Sequence, residues 1–329
     1  MLADIHRHLG GSIKPEFVWD NIIKDNNRYR YLAESVQDLY GLMKCDMVKD
    51  RTMKAFLDKF RILDEIVWTE DLIDKSIKHV VDGIREEGLY GALIDFSINK
   101  YMRIGWHKTE AIKFIYDSFK RYADGIKIGL ILSIKYESYP LSIEQYSRVI
   151  ENDGIAEYLC GIDFVGDENF YGNQVKPDTL QSLLRNWINN GKMVRAHVGE
   201  VGPIDNIESA IDVMKVTHIA HGIKITSDTK VIQKAIDNNI QFDLGISGNN
   251  YTGVSDISRH PVAEMLKQKL KITIGTDDPV QFDTTIHKEF DLLRNILKDQ
   301  LPNSGYINNI MEVVRLNAID SVNRYANIN

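Results

Sequence analysis

The chain has 329 residues, of which 43% are hydrophobic and 26% charged, and this composition is ordinary for a globular protein with a large buried core. A formal net charge of −7 argues against nucleic acid as a partner, because an acidic surface repels phosphate backbones. Cys45 and Cys160 are too few for a secreted disulfide framework and indicate the cytoplasm, while no apolar stretch approaches the roughly 18 residues of a membrane span.

Short apolar segments alternate with longer amphipathic segments along the chain. The amphipathic segments carry apolar residues three or four apart, which predicts helices at Asp71–Glu87, Lys108–Tyr122, Ile143–Tyr158, Pro177–Asn190 and Thr229–Asn238. Strands that are apolar throughout and separated by helices indicate a parallel sheet, and eight of them predict an α/β fold of the (β/α)8 TIM barrel type. The predicted strands are Leu2–His6, Ala92–Phe96, Ile128–Ile134, Gly161–Val165, Met193–His197, Thr217–Ala220, Ile240–Leu244 and Ile272–Gly275.

The interval between the first two predicted strands, about residues 10–89, is far longer than one crossover helix requires. We interpret it as a helical insertion over the mouth of the barrel. No repeat or low-complexity linker divides the chain, so residues 1–329 are predicted to form a single domain. A doubly wound sheet is the competing architecture, but Gly10-Gly11 does not fit the G-x-G-x-x-G turn that such sheets normally carry.

Polar side chains stand at the carboxyl ends of four predicted strands. His6 and His8 are two residues apart, so a strand places both imidazoles on one face. Taken alone, this spacing also fits polar histidines at a strand end, and each of the other segments also fits core packing or a turn. In a barrel, however, all four strand ends face one pocket, and histidine with carboxylate is a typical zinc site. The other segments are His197-Val198-Gly199-Glu200, His218-Ile219-Ala220-His221 and Thr276-Asp277-Asp278-Pro279.

These segments resemble the signature motifs of the adenosine deaminase family, in the family's order and with spacings that suit its barrel. Two weaker similarities extend the resemblance over nearly the whole chain. Gly161–Glu168 is similar to the family's fourth-strand segment, and Phe56-Leu57-x-Lys59-Phe60 is similar to its apolar lid helix. The stronger motifs are His6-x-His8-Leu9-x-Gly11-Ser12, His197-Val198-Gly199-Glu200, His221-Gly222 and Thr276-Asp277-Asp278-Pro279.

The resemblance implies one zinc ion per chain, bound by His6, His8, His197 and Asp277. Zinc lowers the pKa of a bound water to about 7, so that hydroxide forms at neutral pH. His221 would lie beside this water and orient it or act as a base. The implied reaction is attack of hydroxide on C6 of a 6-aminopurine with loss of ammonia, the substrate being adenosine or a 5′-modified adenosine.

The same resemblance implies the groups that hold the purine. Glu200 would protonate N1, Asp278 would contact N7, and the backbone N–H of Gly166 would contact N3. Phe56 and Phe60 would belong to the lid over the base. The role of Glu200 also makes chemical sense without the family, because a carboxyl group in an enclosed site keeps its proton and can serve as a general acid.

The remaining histidines carry no such pattern. His218 lies three residues before His221 on a predicted strand, so it faces the other way, and we expect it to pack. The other four lack metal-like spacing and are predicted to be surface or loop residues; they are His79, His107, His260 and His287.

Three departures from the family pattern concern the substrate. Gly10 replaces an acidic residue that contacts the ribose 5′-hydroxyl, so we expect an enzyme that accepts or prefers a modified 5′ end, or gains little from that hydroxyl. The segment Asp243–Asn249 keeps only Asn249 of the family's Cys-Pro-x-Ser-Asn, and Ala92–Phe96 lacks the usual Glu and Arg.

Three alternatives remain open at the level of sequence. The chain could deaminate adenine or another aminopurine-like base instead of a nucleoside. It could be another metal-dependent hydrolase on the same barrel, although the carboxylated lysine of many two-metal members has no counterpart in Gly161–Glu168. It could also be a non-catalytic relative, although such a protein should have lost Glu200, His221 or a ligand, and all are present.

Overall fold

The computed structural model describes residues 1–99, 101, 105–136, 154–171, 177–301 and 305–329. Eight parallel strands form one sheet in sequence order, which confirms the predicted barrel, and each lies within two residues of its predicted bounds. They are β1 (Ala3–His8), β2 (Gly91–Phe96), β3 (Lys127–Lys135), β4 (Gly161–Val165), β5 (Met193–Val198), β6 (His218–His221), β7 (Gln241–Leu244) and β8 (Lys271–Ile274).

Helices alternate with the strands, and four of the five predicted ones agree with the structure to within one residue at each end. The fifth, over Ile143–Tyr158, falls on residues that up to position 153 lie outside the described part of the chain. The helices are α1 (Pro15–Val18), α2 (Val36–Met43), α3 (Met53–Asp58), α4 (Arg61–Glu65), α5 (Glu70–Glu86), α6 (Lys108–Tyr122), α7 (Pro177–Asn189), α8 (Ile204–Ser209), α9 (Thr229–Asp237), α10 (Ile246–Tyr251), α11 (Val262–Lys267), α12 (Ile286–Gln300) and α13 (Gly305–Tyr325).

The long helix α5 shows how local sequence sets these elements. It begins where the Thr69 side chain accepts a hydrogen bond from the backbone N–H of Leu72, which satisfies one of the otherwise unpaired donors of the first turn. Its buried side chains, including Ile73, Ile77 and Ile84, recur at helical spacing and form one apolar face. Among the described residues, no helix is both long and apolar enough to cross a membrane.

The barrel is closed between β1 and the residues that follow β8. The backbone N–H of Asp277 donates to His6 O at 2.7 Å, and the N–H of His8 donates to Asp277 O at 2.9 Å. These two hydrogen bonds form a parallel bridge between Arg7 and Asp277. The closing seam therefore brings three of the predicted ligands together before any side-chain contact is considered.

Helix α13 closes the amino end of the barrel. Its residues Ala318, Val322 and Tyr325 form a buried apolar cluster with inward residues of the strands, among them Ile5 and Leu93. Since this end is filled by packed side chains, the chemistry is left to the carboxyl end, where catalysis occurs in barrels of this type.

The segment between β1 and β2 carries α1 to α5 and contacts the loops at the carboxyl end. The backbone N–H of Cys45 donates to Gln281 O at 2.8 Å, and Arg51 Nε donates to Asn250 O at 3.1 Å. The ring of Phe56 in α3 stacks on that of Phe282 with centroids 4.8 Å apart. These contacts pack part of this segment against the residues that follow β7 and β8.

The packing at the amino end leads to a stability prediction. Leu93→Ala should lower the free energy of unfolding by about 2–5 kcal/mol, because it leaves a cavity between β2 and α13. The control is Leu316→Ala, because Leu316 lies on α13 and is 42% exposed. This substitution should lower the free energy of unfolding by less than about 1 kcal/mol. Urea unfolding measures both, and equal losses would contradict this account of the closed end.

Candidate active site

Four imidazole rings surround one point at the carboxyl end of the barrel. The centroids of neighbouring rings lie 4.9–5.6 Å apart. The Nε2 atoms of His6 and His197 are 3.1 Å apart, and Asp277 Oδ1 lies 3.5 Å from His6 Nε2 and 3.3 Å from His8 Nε2. The fourth ring is that of His221, so the structure brings together every residue of the predicted metal and water site.

The protonation of two of these rings shows what the cluster is suited to hold. The Nδ1 atom of His6 lies 3.1 Å from the backbone oxygen of Asp243, which can only accept, so we assign the hydrogen to Nδ1. The Nδ1 atom of His197 lies 3.1 Å from Asp163 Oδ1. Burial opposes ionisation of Asp163, but Arg195 and His197 outweigh it and hold its pKa below the ordinary value, so this oxygen also accepts.

When both rings are neutral, hydrogens on Nδ1 leave lone pairs on the two Nε2 atoms, which face each other. Burial lowers the pKa of His6 well below its ordinary value, which keeps this ring neutral. Two lone pairs 3.1 Å apart repel each other unless a cation lies between them. Tetrahedral ligands of zinc at about 2.0–2.1 Å stand roughly 3.4 Å apart, so the spacing fits such an ion. Outer acceptors on Nδ1, as Asp163 and Asp243 provide, are typical of metal-binding histidines.

Asp277 faces the histidines as an anion. Burial opposes its ionisation, but the surrounding imidazoles outweigh burial, His8 through a hydrogen bond, and the pKa of Asp277 lies well below its ordinary value. Burial also disfavours the charged form of His8, yet Asp278 and Asp277 raise the pKa of His8 to about 10. A divalent ion that binds here has to displace the proton of His8, so metal binding should release protons.

Two residues of the site adopt left-handed backbone conformations. His221 has φ of 61° and Asp277 has φ of 59°, values that are uncommon for residues other than glycine. Such conformations persist where the surrounding structure fixes them, and they concentrate at functional sites. They turn the two side chains toward each other at the ends of their strands, with His221 Nε2 3.7 Å from Asp277 Oδ2.

Glu200 lies beside this cluster in a polar chain that the sequence did not reveal. Its Oε2 is 3.7 Å from His221 Nε2, and its Oε1 accepts a hydrogen bond from Asn249 Nδ2 at 2.8 Å. Asn249 Nδ2 also lies 3.0 Å from His221 Nδ1, and Asn249 Oδ1 is 3.1 Å from His260 Nε2. His260 was predicted to be a surface or loop residue. It lies in a loop, but its side chain is buried and not at the surface.

A second carboxylate fixes the turn that carries Glu200. The Glu168 side chain accepts hydrogen bonds from the backbone N–H groups of Gly199, Glu200 and Val201 at 2.8–2.9 Å. Glu168 belongs to the fourth-strand segment of the predicted motif, but nothing in that segment pointed to this contact. It holds the backbone of the turn and brings a negative charge near the Glu200 side chain.

The environment raises the pKa of two of the acids. Burial raises the pKa of Glu200 to about 8, with further contributions from Asp277 and Glu168. Burial and Asp277 raise the pKa of Asp278 well above its ordinary value, although His8 opposes the shift. Asp278 Oδ1 is buried and has no hydrogen-bond partner in the described part of the chain. A raised pKa favours the protonated carboxyl group, which is the form that can donate a hydrogen bond.

The chain after β1 approaches Asp278 closely. A Cβ atom on Gly11 would lie 1.9 Å from Asp278 Oδ1 and 2.7 Å from its Cα atom, so only glycine fits there. Gly10 precedes it in the turn Gly10–Ser12. The sequence motif after His8 thus has a physical cause, because a larger residue at position 11 would displace the Asp278 carboxyl group.

The other predicted site residues lie at the edge of this cluster or away from it. Phe56 packs edge-on against Phe60 with ring centroids 5.6 Å apart, and both belong to the segment between β1 and β2. Gly166 follows β4 with φ of 106°. His218 packs its ring against Tyr325 at the amino end, outside the metal cluster, as expected. Of the remaining histidines, His107 and His287 are exposed and His79 is half-buried.

Known proteins are similar to this chain in sequence and in architecture. An adenosine deaminase from Clostridium acetobutylicum is 22% identical over 89% of this chain and 86% of its own length. An adenine deaminase from Pseudomonas syringae pv. syringae is 26% identical over 88% and 89%. The structure of an amidohydrolase from Burkholderia ambifaria with bound zinc superposes with a TM-score of 0.76, 19% identity, and coverage of 97% and 84%.

The comparison with family profiles covers more of the chain than any single motif. The profile described as adenosine deaminase matches residues 2–318, from the start of β1 into α13. Its span includes every histidine and carboxylate of the cluster described above. The chain belongs to the adenosine deaminase family.

Proposed function

We propose that the protein is a zinc-dependent hydrolytic deaminase of a 6-aminopurine, acting on adenosine or a 5′-modified adenosine. The observation that carries this proposal is the pair of Nε2 atoms of His6 and His197, which lie 3.1 Å apart beside the buried acids Glu200 and Asp278, whose pKa values are raised. The two Nε2 atoms are placed to bind a metal ion, and the two acids can donate hydrogen bonds to the basic nitrogens of a purine. His8 and Asp277 complete the proposed zinc ligands.

When bound, zinc would supply an acidified water as the nucleophile for C6. His221 Nε2 lies 3.7 Å from both Glu200 Oε2 and Asp277 Oδ2, so it is placed to orient this water or to take a proton. Burial lowers the pKa of His221, which keeps its ring neutral and able to accept. His221 is thus proposed as a catalytic residue and not as a ligand.

Glu200 is proposed to donate its proton to N1 of the purine. Protonation of N1 draws electrons from C6 and makes that carbon electrophilic. The Asn249 amide donates to Oε1, which leaves the proton on Oε2, the oxygen that lies 3.7 Å from His221 Nε2. Asp278 would donate to N7, and the N–H of Gly166 would donate to N3. Each contact pairs a protein donor with an unprotonated ring nitrogen.

The 5′ end of the substrate is less constrained. Gly10 offers no side chain to bind the ribose 5′-hydroxyl, and Gly11 after it is held close to Asp278. Relatives of this chain include both adenosine and adenine deaminases, so the sugar is the part of the substrate in question. We propose that adenosine or a 5′-modified adenosine is the substrate, with adenine as the alternative.

The assignment of ligands predicts unequal effects of two histidines. His8→Ala should weaken zinc binding by more than the roughly 10- to 100-fold that loss of an outer partner costs, because it removes a ligand. His221→Ala should weaken it less. Zinc affinity by competition with a chelator measures both, with the exposed His287→Ala as control. A larger effect of His221→Ala would exchange the roles of these two residues.

The role of Glu200 predicts a loss of turnover without a loss of metal. Glu200→Gln should lower kcat by about 10²–10⁴-fold, since the amide cannot donate a proton to N1, while zinc content stays at the wild-type level. Glu264→Gln, which changes a surface carboxylate, is the control. Ammonia release from a panel of 6-aminopurines measures the rate, and absence of turnover by the wild-type enzyme on the whole panel would refute the proposed function.

The same residue predicts the direction of the pH dependence. Because its pKa is raised, Glu200 keeps its proton at neutral pH and loses it as the pH rises, so kcat/KM should fall on the alkaline side. The residual activity of Glu200→Gln should lack this decline. An alkaline decline of equal size in both proteins would assign it to another group.

Gly10 predicts a tolerance for changes at the ribose 5′ position. We expect kcat/KM for 5′-deoxyadenosine and 5′-thio-substituted adenosines to match or exceed that for adenosine, because no side chain at position 10 binds the hydroxyl. Adenine in the same series tests whether the sugar is needed at all. A preference of about 100-fold or more for adenosine over these analogues would contradict this expectation. It would mean that other polar groups bind the 5′-hydroxyl in place of a side chain at position 10.

A further inference from the structure

Arg195 lies inside the barrel on β5, and its side chain is completely buried. Its guanidinium contacts three carboxylates from three other strands. Nε donates to Asp163 Oδ2 at 2.6 Å, Nη1 lies 3.3 Å from Asp243 Oδ2, and Nη2 donates to Asp95. Nη1 also donates to the backbone oxygen of Ile5 at 2.7 Å. One cation therefore links β5 to β1, β2, β4 and β7.

Two of these contacts lie directly behind the histidines whose Nε2 atoms face each other. Asp163 receives Arg195 on Oδ2 and the Nδ1 atom of His197 on Oδ1. Asp243 receives Arg195 on its side chain, and its backbone oxygen receives the Nδ1 atom of His6. The guanidinium thus holds both acceptors that determine which nitrogen of each imidazole carries the hydrogen.

The two acceptors depend on Arg195 to different degrees. Asp243 is also held by Gln241 Nε2 at 3.0 Å and Thr273 Oγ1 at 2.8 Å. For Asp163, the side-chain hydrogen bonds within the described part of the chain go to Arg195 and His197. The planar fork of arginine can serve several oxygens in fixed directions, which a single ammonium group cannot do. The orientation of Asp163 therefore rests mainly on Arg195.

We propose that Arg195 is a positioning residue of the metal site, an inference that rests on the zinc site of the proposed function. By fixing Asp163 and Asp243, Arg195 keeps the hydrogens of His6 and His197 on Nδ1 and their lone pairs aimed at one point. The affinity for metal then depends on a residue that touches no ligand atom. The competing interpretation is that Arg195 only neutralises buried carboxylates and stabilises the barrel.

Three variants separate these two roles. Arg195→Met removes the fork but leaves three buried carboxylates without a cation, which should lower the Tm strongly. Arg195→Met combined with Asp95→Asn removes the charge of the one of these three residues that makes no hydrogen bond to His6 or His197, and should recover part of the Tm. Arg195→Lys keeps the charge and loses the fork. Asp95→Asn alone is the matched control, because Asp95 accepts a hydrogen bond from Arg195 but makes none with His6 or His197 in the described part of the chain.

The readout is binding of zinc alone, measured by competition with a chelator, together with the visible spectrum of the cobalt-loaded protein. We expect the double variant and Arg195→Lys to bind zinc about 10–100-fold more weakly than wild type, the range typical for loss of an outer partner. The cobalt bands should change in both, since the imidazoles are no longer held in place. Asp95→Asn should bind zinc within about threefold of wild type.

The outcomes distinguish the inference from the proposed function. If the double variant or Arg195→Lys recovers both Tm and wild-type zinc affinity, Arg195 is only a structural charge and the inference is overturned. If the double variant does not fold, Arg195→Lys decides by the same criterion. Because no substrate enters the measurement, a wild-type protein that binds zinc but deaminates nothing refutes the proposed function and leaves this inference standing.

Discussion

The site depends on how the barrel closes. Two backbone hydrogen bonds join Asp277 to His6 and His8, and they place these three side chains together through the main chain itself. A ligand set built on such a seam is fixed by the closure of the whole sheet, because a shift of β1 against the chain after β8 would separate all three. The left-handed conformation of Asp277 belongs to the same constraint, since the backbone has to bridge to Arg7 and still turn the carboxylate toward His221.

The interior of the barrel is divided between apolar packing and charge. Toward α13, Ile5, Leu93 and their neighbours form an ordinary apolar cluster. One layer nearer to the carboxyl end, Arg195 stands among carboxylates of three strands. Burying an ion cluster of this kind does little for stability compared with apolar packing. Its position directly behind His6 and His197 is consistent with a contribution to the metal site instead.

The strands and the cluster of polar side chains at their carboxyl ends could be predicted from the sequence for the same reason. Apolar runs mark strands that are buried on both faces, and the polar residues that interrupt their carboxyl ends mark the pocket. His260 could not be found in this way, because it lies in a loop eleven residues beyond Asn249 and meets it only in the folded chain. The contact between Arg195 and Asp163 could not be predicted for a related reason, because the pairing of residues on neighbouring strands is known only when the register of the sheet is known.

The pKa values of three neighbouring acids show that the surroundings of each acid, and not its residue type, determine its chemical role. Asp277 is surrounded by imidazoles and stays ionised, which suits a metal ligand. Glu200 and Asp278 are buried beside that anion, and their raised pKa values favour the protonated form. Two neutral donors of this kind match the lone pairs of N1 and N7 in an uncharged aminopurine, whereas the anionic oxygens of a phosphoester would be served better by cations. The distribution of protons therefore favours a purine ligand among the hydrolytic reactions that such a metal cluster could support.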